Sequence, residues 1–391
     1  MGRLSTSNYQ TYILFFSWTI GLIAIMIRLF VKIELTPIIL LFAVLDIVFN
    51  LKRKNDNFNK FSYHIIFLIL MFYAWLFVST AYSPSYSYKF TKAINFIANV
   101  IFFIYPFFIK KINFHLLIRL YCIIILPLAA YFDYMLSIVW KVRSAGTELF
   151  MNIRDAYLVV GLQLGILFIL LLYFNKHIIL KVITFGLLLA TSARGPLIFL
   201  ILVSLIYLVS ENKIQILNPK YILRSVAVLV GLSVIFYFKA ENIGAIFENT
   251  IKRFASLLGG EDGSSLERVY RLSFAFNQPF EKLSTFFFGN GFGSFGILYE
   301  KIDKRSYPHN ILLECFFELG IIGLVLFLLL FITIYRKISM RKNVFGLLFI
   351  FAFLNAMKSA NITDLWVLFS FMGGIVAMNA GQMHQNRMHV Q

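Results

Sequence analysis

The chain reads as an all-α polytopic membrane protein of about twelve transmembrane helices (ten to twelve), with one long extramembrane loop that itself contains helices. Three observations give that fold class. Of 391 residues, 60% are hydrophobic and only 14% charged, and the mean hydropathy is +0.81. Apolar runs of about 18 residues recur along the whole chain, the length a helix needs to cross hydrocarbon. The basic residues lie mostly in the short segments between those runs. Length alone would allow two or three soluble domains, but this composition overrules them.

The runs fall near 10–30, 36–50, 62–80, 93–109, 115–137, 156–174, 179–192, 196–210, 222–238, 311–334, 343–357 and 363–380. The second, seventh and eleventh are short for a full crossing. The first is too long for a signal-peptide core and has no small-residue cleavage site, so it reads as an uncleaved span. Three regions result: spans one to nine over 1–238, a loop over 239–309, and spans ten to twelve with a C-terminal tail over 310–391.

Orientation follows from the Lys/Arg bias of the short loops. With both termini inside, eighteen Lys/Arg fall in inner segments against nine in the short outer ones, Lys92 and Lys358 among the nine. The 71-residue loop 239–309 is then outside the cytoplasm, and a loop of that length in a compact protein points to function. "FENTIKRFASLL" and "SSLERVYRLSFAFNQPFEKL" carry helical periodicity, so the loop reads as a helical cap, with Ser264 or Ser265 as an N-cap. The formal charge of +18 suits anionic headgroups contacted by short loops and excludes nucleic acid as the expected partner. Cys122 and Cys315 fall near opposite faces, so no disulfide is expected between them.

Chemistry-bearing residues concentrate at the outer rim. His309, with Asn310, directly precedes the tenth span; an imidazole there is either a helix-start residue or a base able to take a proton from a hydroxyl. Arg194 sits in a minimal connection, "TSARGP", at headgroup depth; it either sets topology or offers its fork to phosphate oxygens. Arg268 and Arg271, three apart in "LERVYRL", share a helix face as a second cationic candidate or as a solvated pair. Glu314 and Glu318 lie four apart below His309, facing either a structural cation, expected to be an arginine, or a polar cavity. Arg143, Arg154 and Asp155 in another outer loop are candidates to complete a polar site. "GNGFGSFG", residues 289–296, contains a formal G-x-G-x-x-G but no βαβ context, so it reads as a turn whose N–H groups are free to approach a phosphate. No metal-ligand spacing and no cofactor motif stands out.

The tight "SARG" turn, the long loop with "SSLERVYR", the glycine turn and "PHN…LE…ELGIIG" together resemble the O-antigen ligase/polymerase superfamily, in detail over residues 155–335. The His-Asn, nine residues, Gly, two residues, Gly signature of the ligases is met by His309, Asn310, Gly320 and Gly323. The resemblance implies a multi-pass protein of the bacterial inner membrane with a periplasmic loop. It implies metal-independent glycosyl transfer from an undecaprenyl-pyrophosphate-linked oligosaccharide, with no cofactor. By the same resemblance Arg194 and Arg268, with Arg271 beside them, hold the pyrophosphate, and His309 handles the acceptor, with Glu314 as the other candidate base. Membrane lipids and a chain-length regulator protein are the further partners. The Leu313-Glu314 pair and the "ELG" lean toward an O-antigen polymerase over a ligase that transfers polymer to the lipid A core. A lipid-linked oligosaccharide flippase or transporter is the non-enzyme alternative; internal repeats and ionisable groups deep in several spans would mark it.

Overall fold

The computed structural model describes residues 6–28, 35–51, 60–141, 148–210, 263–338, 343–379 and 384–385, with only the backbone of 6, 28, 60, 137–141, 148–155, 263–265 and 384–385. The expected span at 222–238 and the "FENTIKRFASLL" stretch lie outside these residues.

Helices α1 (Thr6–Arg28), α2 (Thr36–Leu51), α3 (Lys60–Thr80) and α4 (Tyr88–Ile104) come first. A 3₁₀ turn, Tyr105–Phe108, extends α4. Helices α5 (Phe114–Leu120) and α6 (Leu126–Lys141) form one rod through a π turn, Tyr121–Ile125. Pro127 supplies a cause, since it donates no N–H to the helical ladder at that point. Helices α7 (Glu148–Tyr173), α8 (Ile178–Ala190) and α9 (Arg194–Ser210) follow. The long loop contributes α10 (Gly263–Asn277) and α11 (Leu283–Phe288). The chain closes with α12 (Ile311–Tyr335), α13 (Val344–Ser359) and α14 (Trp366–Asn379).

Among the described residues, six stretches are long and apolar enough to cross a membrane: Ser7–Ile27, Phe61–Thr80, Tyr88–Phe108, Phe114–Leu136, Ala156–Tyr173 and Ile311–Tyr335. Helices α2, α8, α9, α13 and α14 are apolar but shorter. Eleven of the expected runs thus coincide with helices. Several boundaries differ, α7 starting at Glu148 ahead of the expected 156, and two of the differences bear on the site. Helix α4 starts at Tyr88, ahead of the expected 93, which brings Lys92 inside it. Helix α10 already includes Gly263, so Ser264 and Ser265 lie in its first turn and not at an N-cap.

Helix α14 runs through the centre and is buried on nearly every side, as its uniformly apolar sequence dictates. Small residues let neighbours approach: a Cβ on Gly373 would lie 2.0 Å from the carbonyl oxygen of Phe103. Polar side chains bridge the core. Trp18 donates to Ser370 at 2.8 Å, Gln163 donates to the Trp18 carbonyl at 2.7 Å, and Tyr121 in the π turn donates to Gln163 at 3.0 Å. Cys122 and Cys315 are both free thiols.

One face gathers the two ends of the chain. Residues Lys111–Ile112 pair in parallel with His384–Gln385, and Ser7 donates to the Lys111 carbonyl at 3.0 Å. The opposite face carries α10 and α11, packed on the first half of α12 through an aromatic cluster. Phe317 meets Phe295 at 5.2 Å and Phe274 at 5.7 Å, while Phe316 meets Phe280 at 5.5 Å. This second face is called the cap face below.

Candidate active site at the head of helix α12

Helix α12 begins abruptly because its sequence supplies a cap. Asn310, in extended conformation, accepts from the N–H groups of Leu312 at 3.0 Å and Leu313 at 3.1 Å. The carboxamide oxygen of Asn310, an expected site residue, is thus occupied as an N-cap. His309, just before it, has φ +62°, the left-handed region that a residue with a Cβ adopts at a cost. Buried Pro308 precedes it.

The His309 ring lies 4.5 Å from the Tyr307 ring, and its Nδ1 is buried with no hydrogen-bond partner among the described residues. Buried polar atoms are nearly always paired, so an orphan nitrogen on a strained backbone marks a functional position. Burial first, then the positive charges of Arg268 and Arg271, pull the imidazole down from 6.5 to about 4; Arg305 adds to this and Glu267 opposes it. Burial likewise pushes the Tyr307 phenol up to about 12. At neutral pH the imidazole is therefore uncharged, held inside a ring of cations.

Those cations differ. Arg271 is a strut: it donates to Glu267 at 2.9 Å, to Glu300 at 2.8 Å and to Ser306 at 2.8 Å, and its guanidinium lies 5.3 Å from the Tyr299 ring centre. Glu267 one turn earlier and Glu300 thus fill the fork that the sequence offers to pyrophosphate. Arg268, on the same helix, makes no hydrogen bond or ion pair among the described residues. Arg305, which the sequence reading passed over, pairs with Asp364 and lies 5.8 Å from the Tyr307 ring centre.

Below His309 lies a buried ionic cluster. Lys92 of α4 donates to Glu314 at 2.6 Å and to both oxygens of Glu318 at 2.8 and 2.7 Å, with all three side chains at most 1% exposed. The other Glu314 oxygen accepts from the Ile362 N–H at 2.9 Å, and Glu318 also accepts from the Gly293 N–H at 2.9 Å. All four carboxylate oxygens are used. Glu314, an expected base, is thus held by Lys92 and the Ile362 N–H, and the expected arginine partner is a lysine assigned from sequence to an outer loop.

The glycine turn has a defined task. Gly320 (φ 68°, ψ −170°) interrupts α12 and frees the carbonyls just before it. The N–H groups of Asn290 and Gly291 bond the carbonyls of Phe317 and Glu318, each at 2.9 Å, and Trp75 Nε1 donates to the Leu319 carbonyl at 3.0 Å. Gly289, Gly291 and Gly293 all have positive φ. The turn reading holds, but these N–H groups are engaged by α12 and are not open to a phosphate. Beside the break, an apolar groove of about 640 Å³ is lined by Trp75, Val78, Tyr82, Thr285, Phe288 and Leu298.

Arg194 joins the cap face by another route. Thr191–Ala193 make the turn, with Ser192 at φ +54°, and Arg194 opens α9, half-buried. Gly195 lies against the Lys358 side chain at the end of α13, whose following turn, 361–364, supplies the Ile362 N–H to Glu314 and Asp364 to Arg305. Arg143 lies outside the described residues. Arg154 and Asp155 lie in the second turn of α7, and their side chains are likewise outside them.

Residues 179–328 match the family model described as O-antigen ligase. The matched stretch runs from α8 to beyond the break in α12, so it contains Arg194, Arg268, His309, Glu314 and Gly320, whereas Lys92 and Asp364 lie outside it. No curated protein matches the chain. Over that stretch the chain is similar to the O-antigen ligase family.

Proposed function

We propose that the chain is an inner-membrane O-antigen polymerase, joining undecaprenyl-pyrophosphate-linked repeat units on the periplasmic face without a metal. The observation that carries this reading is His309: an imidazole in strained backbone, within the electrostatic reach of Arg268 and within the matched stretch, its Nδ1 and that guanidinium both without a hydrogen-bond partner among the described residues. In the reaction an acceptor sugar hydroxyl attacks the anomeric carbon of the donor. The carbon–oxygen bond to the pyrophosphate breaks, undecaprenyl pyrophosphate leaves, and the hydroxyl proton passes to His309.

Charge develops on the leaving pyrophosphate, which fixed guanidinium groups stabilise at no reorganisation cost; Arg268 is placed for this, with Arg194 as the second group. The low basicity of His309 fits the same order of events. A bound diphosphate offsets the cations around it and returns the imidazole toward its ordinary 6.5, so the base becomes competent once the donor is present. The apolar groove beside the break suits a hydrocarbon carrier arriving from the bilayer.

The description of the matched family favours a second reading, an O-antigen ligase acting on the lipid A core. Deletion of the gene followed by polysaccharide gel analysis separates them. Core bearing one repeat unit identifies the polymerase, and bare core with polymer retained on the carrier identifies the ligase. Accumulation of carrier lipid on the cytoplasmic side overturns both in favour of a flippase.

A further inference from the structure

The Lys92 cluster sits where three segments meet. Helix α12 provides Glu314 and Glu318, the 361–364 turn enters through the Ile362 N–H, and the glycine turn enters through the Gly293 N–H. Among the described residues only Lys92 bonds both carboxylates, and its ammonium also lies 4.7 Å from the Phe292 ring centre in that glycine turn. The geometry points to Lys92 as the positioning residue of the His309 site: through Glu314 and Glu318 it fixes the register between the head of α12, the 361–364 turn and the cap.

The inference rests on the reading of His309 as the acceptor-handling residue. Two short routes connect Lys92 to the groups that would flank the substrate. Glu314 holds Ile362; two residues on, Asp364 pairs with Arg305; Arg305 lies over Tyr307, whose ring meets that of His309. Glu318 holds the glycine turn, from which Phe295 packs on Phe274 at 6.1 Å in α10, the helix that carries Arg268. Displacing either route moves one reacting partner against the other, and errors near 1 Å at such a site cost on the order of a hundred-fold in rate.

Stability alone is a poor account of the cluster. A buried ion group replaced by neutral side chains of similar volume often leaves a protein as stable as before. A fully paired buried network does select one arrangement among several. Every carboxylate oxygen here is paired, and each carboxylate accepts one bond from a backbone N–H of a different segment.

The test uses the full chain in lipid nanodiscs. One variant combines Lys92→Met, Glu314→Gln and Glu318→Gln. A second, Ile362→Pro, removes the N–H that Glu314 accepts, at the first position of a 3₁₀ turn where proline's geometry is tolerated; Ile362→Val, which keeps the N–H and trims the same buried side chain, is its control. Two quantities are read: the titration midpoint of His309 by histidine-labelled NMR, with the resonance identified by its loss in His309→Gln, and kcat and KM on the lipid-linked oligosaccharide that accumulates in the deletion strain. The expected result is a midpoint rising from about 4 toward 6.5 as the site loosens, and kcat lower by about ten-fold or more with KM little changed. Where the triple variant does not insert, Ile362→Pro decides. A midpoint unchanged in Ile362→Pro overturns the positioning role even if the wild type transfers glycan. A wild type that transfers nothing overturns the transferase reading, while a moved midpoint still upholds the positioning role.

Discussion

Gly320 in the tenth expected span and Gly289 in the cap meet backbone to backbone. A Cβ on Gly320 would lie 2.5 Å from the Gly289 nitrogen and 2.3 Å from the Phe287 carbonyl oxygen. Gly320 also occupies a region of backbone space open essentially to glycine alone. Gly320→Ala therefore costs about 1–3 kcal/mol from backbone strain, and the contact with main-chain atoms adds to it because neither side can yield. Gly186→Ala in α8 is the control, since nothing lies within 4 Å of its added Cβ, and alanine favours a helix over glycine by about 1 kcal/mol. Thermal unfolding of the purified proteins should show a large drop for the first and none for the second.

Asp303 caps helix α4 from 217 positions away in sequence. Its carboxylate accepts from the Tyr86 and Ser87 N–H groups, each at 2.8 Å, and from the Ser85 hydroxyl at 2.6 Å. Partial burial opposes its ionisation, but these bonds outweigh burial and hold the carboxyl down at about 2, below its ordinary 3.8. A depressed acid of this kind contributes stability that is complete above its ordinary value and is lost as pH falls through the folded one. Asp303→Asn should lower stability by about 1 kcal/mol at pH 7, in the range of a lost helix cap, and the difference from wild type should shrink between pH 4 and 2. Unfolding curves compared at the two pH values check this; a difference constant with pH would remove Asp303 from the cap.

Helix positions were legible because each rests on local apolar periodicity, and His309 and Arg268 because ionisable residues stand out against such a background. What distinguished Arg268 from Arg271 was not legible: Glu300 and Ser306, which fill the fork of Arg271, are 29 and 35 positions away. Lys92 was misplaced for a similar reason. A lysine at the start of an apolar run looks like an interface residue until a partner 222 positions away appears. The His-Asn…Gly…Gly spacing marked Gly320, but a glycine spacing alone fits close helix packing equally well. Only the φ of Gly320 and the donors seated on the carbonyls before it show a break in the span.

Arg268 and Arg271 should separate by phenotype although they are three residues apart. Arg268→Ala removes a cation with no bonds among the described residues, so folding should be unaffected. Loss of one charged bond to pyrophosphate, worth about 1.5–3 kcal/mol, should weaken donor binding by roughly ten- to a hundred-fold. Arg271→Ala unlatches Glu267, Glu300 and Ser306 and should lower the unfolding temperature. Unfolding temperatures and donor titrations on both variants are the check; a destabilised Arg268→Ala with normal donor affinity would make it a strut as well.

The pH dependence of transfer should expose the coupling between donor and His309. In the empty site the imidazole titrates at about 4, so the acidic limb of kcat/KM, which reports the free enzyme, should lie there. The acidic limb of kcat reports the donor-bound complex, where the diphosphate charge offsets Arg268 and the limb moves toward 6.5. The same depression makes the empty protein lose stability as pH falls from 6.5 toward 4, because over that window the unfolded chain binds a proton that native His309 refuses. His309→Gln should flatten that stability slope and abolish transfer while leaving the protein inserted. Two coincident acidic limbs in the wild type would show that His309 does not feel the donor, and the proposed order of events would fall with them.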